Sequence, residues 1–424
     1  MIQGKNLKNT WDIYNYEVKE NIYEGIKDVF KKYGYRQIST SIMEQYKLFL
    51  NNKGTFGNHE LYKFIDSRGE VLVLRPDMTI PITNIVANKN QDIDEMKLFY
   101  ISKIFRMGGK VNKTQKEFLQ GGIEYFGNNT TLADAEVISI AIKTLKRFCD
   151  NFTIDIGHTE FYRGVFENIK INTEAKNKLR RLIQDKNQDE IQILLQKIDI
   201  LDNHKEIISK LPKLYGNFGG LINEIRTIPL NSRMEKALKE LEEINDIITE
   251  LGYEDYISFD LGLINDLHYY TGTIFNGYMD NYGSIILNGG RYDKLAENYG
   301  KDIPATGFGV NIDKLINGLG GEDMLRANGS NIDYEVIYPK NNRKRALLLA
   351  EKLRDVGYIT VVKDKDNSLK NYIEIAERER KSNLILLDNE RLKIIDVVKN
   401  TSNNIKYDDF IKKINLGFKN LSIH

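Results

Sequence analysis

Near the N-terminus apolar residues recur at helical spacing. Ile22, Ile26, Val29 and Phe30 share one stripe of Val18–Tyr33, and Gly34 is placed to end that helix. Short strand-like runs follow at Val71–Leu74, Lys97–Phe105 and Gly121–Tyr125. Leu132–Phe148 has the pattern of a long amphipathic helix and Phe152–Ile156 that of a strand. From about Phe161 to Leu251 the pattern is helical and highly charged, broken near Pro212, Gly216–Gly220 and Pro229. Strands are expected again at Ile257–Leu261, Tyr269–Tyr278 and Gly283–Leu287, and Gly307–Val310 leads into a helix at Ile312–Leu319. Strands on both sides of a helical block predict an α+β domain, residues 1–325, carrying a helical insertion at about 161–251. No fixed-period repeat is present.

Gly318–Ser330 has the glycine and polar content of a linker. Beyond it, residues 331–424 form a second, α/β pattern. Strands are expected at Val336–Tyr338, Ile359–Val362, Leu384–Leu387 and Leu392–Val397, with helices at Arg343–Val356, Leu369–Arg380 and Asp408–Ile414.

Composition narrows the function classes. The chain has 424 residues, enough for two or three domains, and its net charge of +1 gives no global basic field for nucleic acid. One cysteine, Cys149, excludes an internal disulfide and the usual multi-cysteine zinc site. His59, His204 and His424 share no metal-site spacing, so neither metal nor cofactor is expected. The first residues lack the apolar core of a signal peptide, and no apolar run is long enough to span a membrane, which predicts a cytoplasmic protein.

Three constellations carry candidate chemistry. In Arg75-Pro76-Asp77-Met78-Thr79, after an apolar strand, Asp77 is suited to receive an ammonium group and Thr79 to add a hydroxyl contact; a strand end with a proline turn accounts for the same residues. Lys97–Gly127 reads as strand, polar loop, strand, with Arg106 facing Gln120–Glu124 across an antiparallel pair. Gln120, Gly122 and Glu124 share one face by the two-residue period, so an amide and a carboxylate are available to a small polar ligand, or to a plain hairpin. In Leu263–Leu295, Tyr270 and Tyr292 are expected from neighbouring strands, each with a flat face and a hydroxyl. His268 reads as a strand residue at the pocket edge rather than a base, and His158, at a strand-to-helix turn, as structural.

The Leu263–Leu295 segment resembles the histidine-recognition segment of class II histidyl-tRNA synthetases. The family's second half, Gly-Gly-Arg-Tyr-Asp, is intact at 289–293. Its first half, Arg-Gly-Leu-Asp-Tyr-Tyr, has become Asn265-Asp266-Leu267-His268-Tyr269-Tyr270, so Asn265 stands where the family's activating arginine would be. Lys97–Gly127 resembles class II motif 2, with Arg106 at its arginine and Gln120 and Glu124 at the amino-acid-binding pair; Lys113 and Lys116 stand in a loop that typically bears arginine. Ala305–Leu315 resembles motif 3, whose opening Gly-x-Glu-Arg is here Asn311-Ile312-Asp313-Lys314, and Ser39–Glu44 lacks the motif 1 proline. Lysine keeps the charge but not the planar fork of arginine. Losing one preorganised stabiliser costs about 10²–10³ in rate, so the changes at 265 and 314 together imply roughly 10⁴ if independent.

The resemblance therefore implies a class II synthetase-like antiparallel sheet with helices and a pocket for L-histidine formed by Asp77, Thr79, Arg106, Gln120, Glu124, Tyr270 and Tyr292. With recognition kept and activation lost, the chain resembles the regulatory subunits of ATP phosphoribosyltransferase. That family implies no catalysis of its own, a short-form catalytic subunit as partner, feedback by histidine, and a homodimer within a hetero-octamer. Residues 331–424 resemble the anticodon-binding domain of the synthetases, which keeps two alternatives open: a divergent histidyl-tRNA synthetase, or a tRNA-binding or scaffold protein. The tail's one basic cluster, Arg343-Lys344-Arg345, reads as a solvated face.

Overall fold

The computed structural model describes residues 13–50, 60–89, 95–107, 116–167, 169–225, 227–265, 269–320, 332–378, 381–388 and 390–415. Lys113, His59, Asp266–His268, His424 and most of the expected linker lie outside them. The chain divides into two compact units, Met1–Gly321 and Glu322–His424.

The first unit opens with α1 (Ile13–Lys32), β1 (Arg36–Gln37), β2 (Met43–Gln45), α2 (Tyr46–Leu50), β3 (Lys63–Ile65), β4 (Val71–Leu74) and α3 (Thr79–Ala87). A long hairpin, β5 (Met96–Phe105) and β6 (Glu117–Phe126), leads to α4 (Thr131–Lys146) and β7 (Phe152–His158). The helical block is α5 (Thr159–Val165), α6 (Thr173–Gln184), α7 (Gln188–Gln196), α8 (Asp202–Lys210), the short β8 (Tyr215–Gly216), α9 (Phe218–Ile225) and α10 (Ser232–Glu250). The unit closes with β9 (Ile257–Asp260), β10 (Thr273–Met279), β11 (Tyr282–Arg291), β12 (Ala305–Asn311) and α11 (Ile312–Gly318).

Nine strands form one sheet in the order β1-β5-β6-β12-β11-β10-β7-β9-β8. Its centre is antiparallel as expected, but the β1–β5 and β7–β9 pairs are parallel. Helix α1 starts earlier than its apolar stripe and packs Phe30 against Phe99 and Phe308, with ring centroids 5.7 and 5.9 Å apart. Gly34 adopts φ +81°, which ends the helix without a Cβ penalty. Thr130 caps α4 by accepting from Ala133 N, and the buried run from Ala133 to Leu145 seats that helix in the core. Asn231 caps α10 in the same way, and Met234, Ala237, Leu241, Ile244 and Ile248 form its buried stripe. A separate antiparallel sheet, β2-β4-β3, carries the polypeptide into α3. Arg75, buried, ties that sheet down by donating to the carbonyls of Lys103 and Thr40 at 3.0 and 2.8 Å. Among the described residues no helix is long and apolar enough to cross a membrane.

The second unit contains β13 (Tyr334–Tyr338), α12 (Arg343–Asp355), β14 (Thr360–Asp364), α13 (Leu369–Arg378), β15 (Asn383–Asp388), β16 (Arg391–Asp396), β17 (Thr401–Lys406) and α14 (Tyr407–Asn415). Its sheet order is β14-β13-β15-β16-β17, parallel around β13 and antiparallel beyond β15. Val336, Leu349, Leu353, Ile385 and Leu392 are fully buried in its core. A buried ion pair, Lys381 to Glu335 at 3.0 Å, stands beside that core. Arg343, Lys344 and Arg345 are exposed at the start of α12.

Glycines let the central strands approach closely. A Cβ on Gly289 would lie 2.5 Å from the Gly307 carbonyl, the Phe275 ring and the Phe308 Cβ. Gly283, on the same strand, has open space around that position. We expect Gly289→Ala to destabilise the chain by roughly 1–3 kcal/mol in urea unfolding, through overpacking. Gly283→Ala should stay within about 0.5 kcal/mol.

Candidate functional site

The site lies where the β5–β6 hairpin, β12, the loop ahead of β10 and the end of β11 meet α3. The register sets it up. Leu98 pairs with Glu124, Tyr100 with Gly122 and Ser102 with Gln120, while Gly307 and Gly309 of β12 pair with Glu124 and Gly122 on the other side. Alternation then places Gln120 and Glu124 on one face, and the neighbouring glycines leave room for them. A Cβ at Gly307 would approach Glu124 Oε2 to 2.4 Å, and one at Gly309 would approach Gln120 Nε2 to 2.7 Å.

All seven residues expected from the sequence line a single cavity: Asp77, Thr79, Arg106, Gln120, Glu124, Tyr270 and Tyr292. Tyr100, Tyr269, Asn288 and Phe308 line it as well and were not anticipated. Tyr270 and Tyr292 are not within their strands. Tyr270 precedes β10 and Tyr292 follows β11, and the Ile274–Gly290 pairing brings both to the same end. The strand expected from Tyr269 starts only at Thr273, because the tyrosines turn inward to pack on one another instead of joining the ladder.

Glu124 is the centre of this cavity and is 1 % exposed. Tyr292 Oη donates a short hydrogen bond to Oε2, and Thr79 Oγ1 donates to Oε1 at 2.7 Å. Burial nevertheless dominates and pushes the carboxyl up to about 8, against the lowering effect of the two hydroxyls and with Asp77 adding to the rise. Burial also raises Asp77, although Arg106 stands 4.0 Å away and Ile80 N donates to Asp77 Oδ1 at 2.9 Å. Desolvation outweighs a guanidinium at that distance because Arg106 is itself partly in solvent and donates to the Pro76 carbonyl at 2.7 Å. Tyr100 donates to Gln120 Oε1 at 3.2 Å. Tyr100, Tyr269, Tyr270 and Tyr292 are all raised, first by burial, so they remain neutral donors. The result is a cleft with two carboxyls inside, one guanidinium at its edge and tyrosine walls. It suits a small cationic or zwitterionic ligand with a flat polar ring.

The remaining motif residues have other positions. Arg291 is buried, donates to Asp134 and Asp293 at 2.9 and 3.1 Å, and holds the carbonyls of Asn128 and Thr130. It fastens the end of β11 to the start of α4. Asn311 caps α11 by accepting from Lys314 N, and the Lys314 ammonium donates to the Ile285 carbonyl at 2.9 Å. Neither Lys314 nor Asn265 lines the Glu124 cavity. Lys116 of the hairpin is not in that lining either; its backbone carbonyl accepts from Arg106 N at 3.1 Å. His158 caps α5 and stands 2.9 Å from Glu240, which holds that carboxylate below its ordinary range. Among the described residues no group of His, Cys, Asp or Glu could hold a metal ion.

The histidyl-tRNA synthetase family profile matches residues 14–315. An ATP phosphoribosyltransferase regulatory subunit from Acetivibrio thermocellus is 35 % identical over 397 residues, 93 % of this chain and 94 % of that one. A protein of the same name from Clostridium novyi is 35 % identical over 412 residues, 95 % and 97 % of the two chains. Among solved structures, a regulatory subunit/histidyl-tRNA synthetase from Bacillus halodurans superposes with a TM-score of 0.75 at 27 % identity, covering 92 % of this chain and all of that one. A histidyl-tRNA synthetase from a Nostoc species superposes with a TM-score of 0.79 at 19 % identity, covering 95 % and 96 %, which is a likeness of fold.

Glu124 gives a pH signature. Its carboxyl releases its proton near the ordinary value of 4.5 when unfolded and near 8 when folded. Folding therefore binds a proton between those values, and the stability contribution present below pH 4.5 is lost as pH rises through 8. Within that window the contribution falls by about 1.4 kcal/mol per pH unit. Glu124→Gln removes the titration, so the stability difference between variant and wild type should grow in the variant's favour from pH 5 to pH 8. Parallel pH–stability curves from urea unfolding would contradict the assigned burial.

Proposed function

We propose a histidine-sensing role for this chain, which belongs to the ATP phosphoribosyltransferase regulatory subunit family and has the class II histidyl-tRNA synthetase fold. The carrying observation is the convergence of seven recognition residues on one cleft while Asn265 and Lys314, at the two positions that changed, stand outside it. In this reading L-histidine places its ammonium between Asp77 and Thr79, its carboxylate towards Arg106 and Gln120, and its imidazole against Glu124, Tyr270 and Tyr292. The protonated Glu124 carboxyl gives the imidazole a donor at neutral pH, and the tyrosine rings exclude water from that contact.

Activation of the amino acid is absent in this reading. At position 265 there is no cation to stabilise a transferring phosphoryl group, and the Lys314 ammonium is engaged with a backbone carbonyl. The chain acts in the cytosol as the regulatory partner of a short-form ATP phosphoribosyltransferase catalytic subunit, as a homodimer within a hetero-octamer. Histidine inhibits by binding one state of that assembly better than another, and shifts it only by that difference in affinity. The C-terminal unit is an anticodon-binding-like domain in this reading, kept for a purpose other than tRNA, since its basic triplet is a solvated helix start.

Calorimetry tests the pocket. Glu124→Ala should weaken histidine binding at least a hundredfold, because it removes a buried hydrogen-bonding partner and orphans two hydroxyls. The melting transition should remain cooperative. Unchanged affinity in a folded variant would remove Glu124 from the site. Adding wild-type protein to a short-form catalytic subunit should confer histidine-sensitive activity, and the variant should confer activity that histidine no longer inhibits.

A further inference from the structure

A second cavity, of about 230 Å³, lies on the other side of Tyr270, bounded by α5, α6 and the Leu263–Asn265 segment. Tyr270 is the residue common to its lining and that of the Glu124 cavity. Its character is the reverse of its neighbour's. Arg163, Lys176 and Arg180 line it, and among the described residues no carboxylate does. Leu263 and Ile274 supply an apolar wall.

The cationic groups are held in place. Arg163 is paired with Glu160 at 2.6 Å and donates to the Tyr270 carbonyl at 3.3 Å. Arg180 donates to the Asn265 carbonyl at 2.8 Å. Lys176 lies over the Phe166 ring, 5.9 Å from its centroid, and Phe166 packs at a tilt against Tyr162, with ring centroids 4.9 Å apart. The Tyr162 hydroxyl, which belongs to the same lining, is buried and has no hydrogen-bond partner among the described residues. A buried hydroxyl without a partner is costly, and a ligand oxygen here would satisfy it. Burial pushes that phenol up to about 12, so it is a neutral donor.

We propose that this cavity binds a small phosphorylated metabolite, with the phosphoryl group received by Lys176, Arg180 and the Tyr162 hydroxyl. A phosphoryl group matches better than a monocarboxylate because it brings about two negative charges and three acceptor oxygens to a site with several fixed donors. The volume suits a molecule the size of a sugar phosphate, and the apolar wall suits the carbon face of its ring. Asn265 also stands on this lining. The residue that replaced the family's arginine thus faces a different ligand from the one at Glu124.

The test is calorimetric titration of the full-length protein with ribose 5-phosphate and inorganic phosphate, and with malonate as the carboxylate probe. Saturable binding of ribose 5-phosphate is expected, weakened about tenfold by Lys176→Met and about fivefold by Tyr162→Phe. Lys176→Arg should restore most of the loss. Lys176 is on the exposed face of α6, so its variants keep the fold, and thermal melts check Tyr162→Phe. Absence of saturable binding by both phosphate probes would overturn the proposal. So would binding indifferent to both substitutions, or malonate binding more tightly than ribose 5-phosphate.

Discussion

Glu124 has to be kept dry and hydrogen-bonded at once, and the surrounding sheet is organised by that requirement. An unpaired carboxyl in a protein core costs several kcal/mol, so its two oxygens need dedicated donors. Thr79 arrives from the start of α3 and Tyr292 from the end of β11, which lie far apart in sequence. Holding both in register needs Arg75 to pin the small sheet and Arg291 to pin β11 to α4. It also needs glycine at 307, where any side chain would meet the carboxyl. The polar cluster is thus a tertiary constraint as much as a candidate binding surface.

Much of this was legible in the chain. The alternation Gln120-x-Gly122-x-Glu124 predicts a shared face, and the paired register with β5 and β12 produces it. The apolar patterns of α1 and α4 predict their buried faces. Other parts carried no local signal. Strand β17, Thr401–Lys406, is polar and largely exposed; it exists because β16 offers a free edge, so its cause is backbone pairing and not burial. The short β2 and β3 are held by β4 and by Arg75 in the same non-local way. Tyr100 joined the site because Gly122 is its cross-strand partner, a signal that register reveals and periodicity does not. Tyr269 stands beside Tyr270 in the same motif, but a strand there sends alternate side chains to opposite faces, so periodicity assigns only one of the two to the site.

In the proposed reading, recognition and activation fall to different groups of residues. Recognition depends on buried groups that share hydrogen bonds, so losing one would orphan others. Activation in the related synthetases depends on cations that reach towards a second ligand, and such groups can be exchanged without disturbing the core. Asn265 has its carbonyl held by Arg180 and lines the neighbouring cavity, while Lys314 is anchored to β11. A chain under pressure to sense a metabolite and none to transform it would change at those two places first.

Histidine-dependent ATP–pyrophosphate exchange, run beside a histidine-binding titration on the same preparation, tests the central claim most directly. Saturable histidine binding with no exchange above the protein-free background is the predicted result. Exchange that depends on histidine would contradict it, because activation would then survive without a cation at position 265.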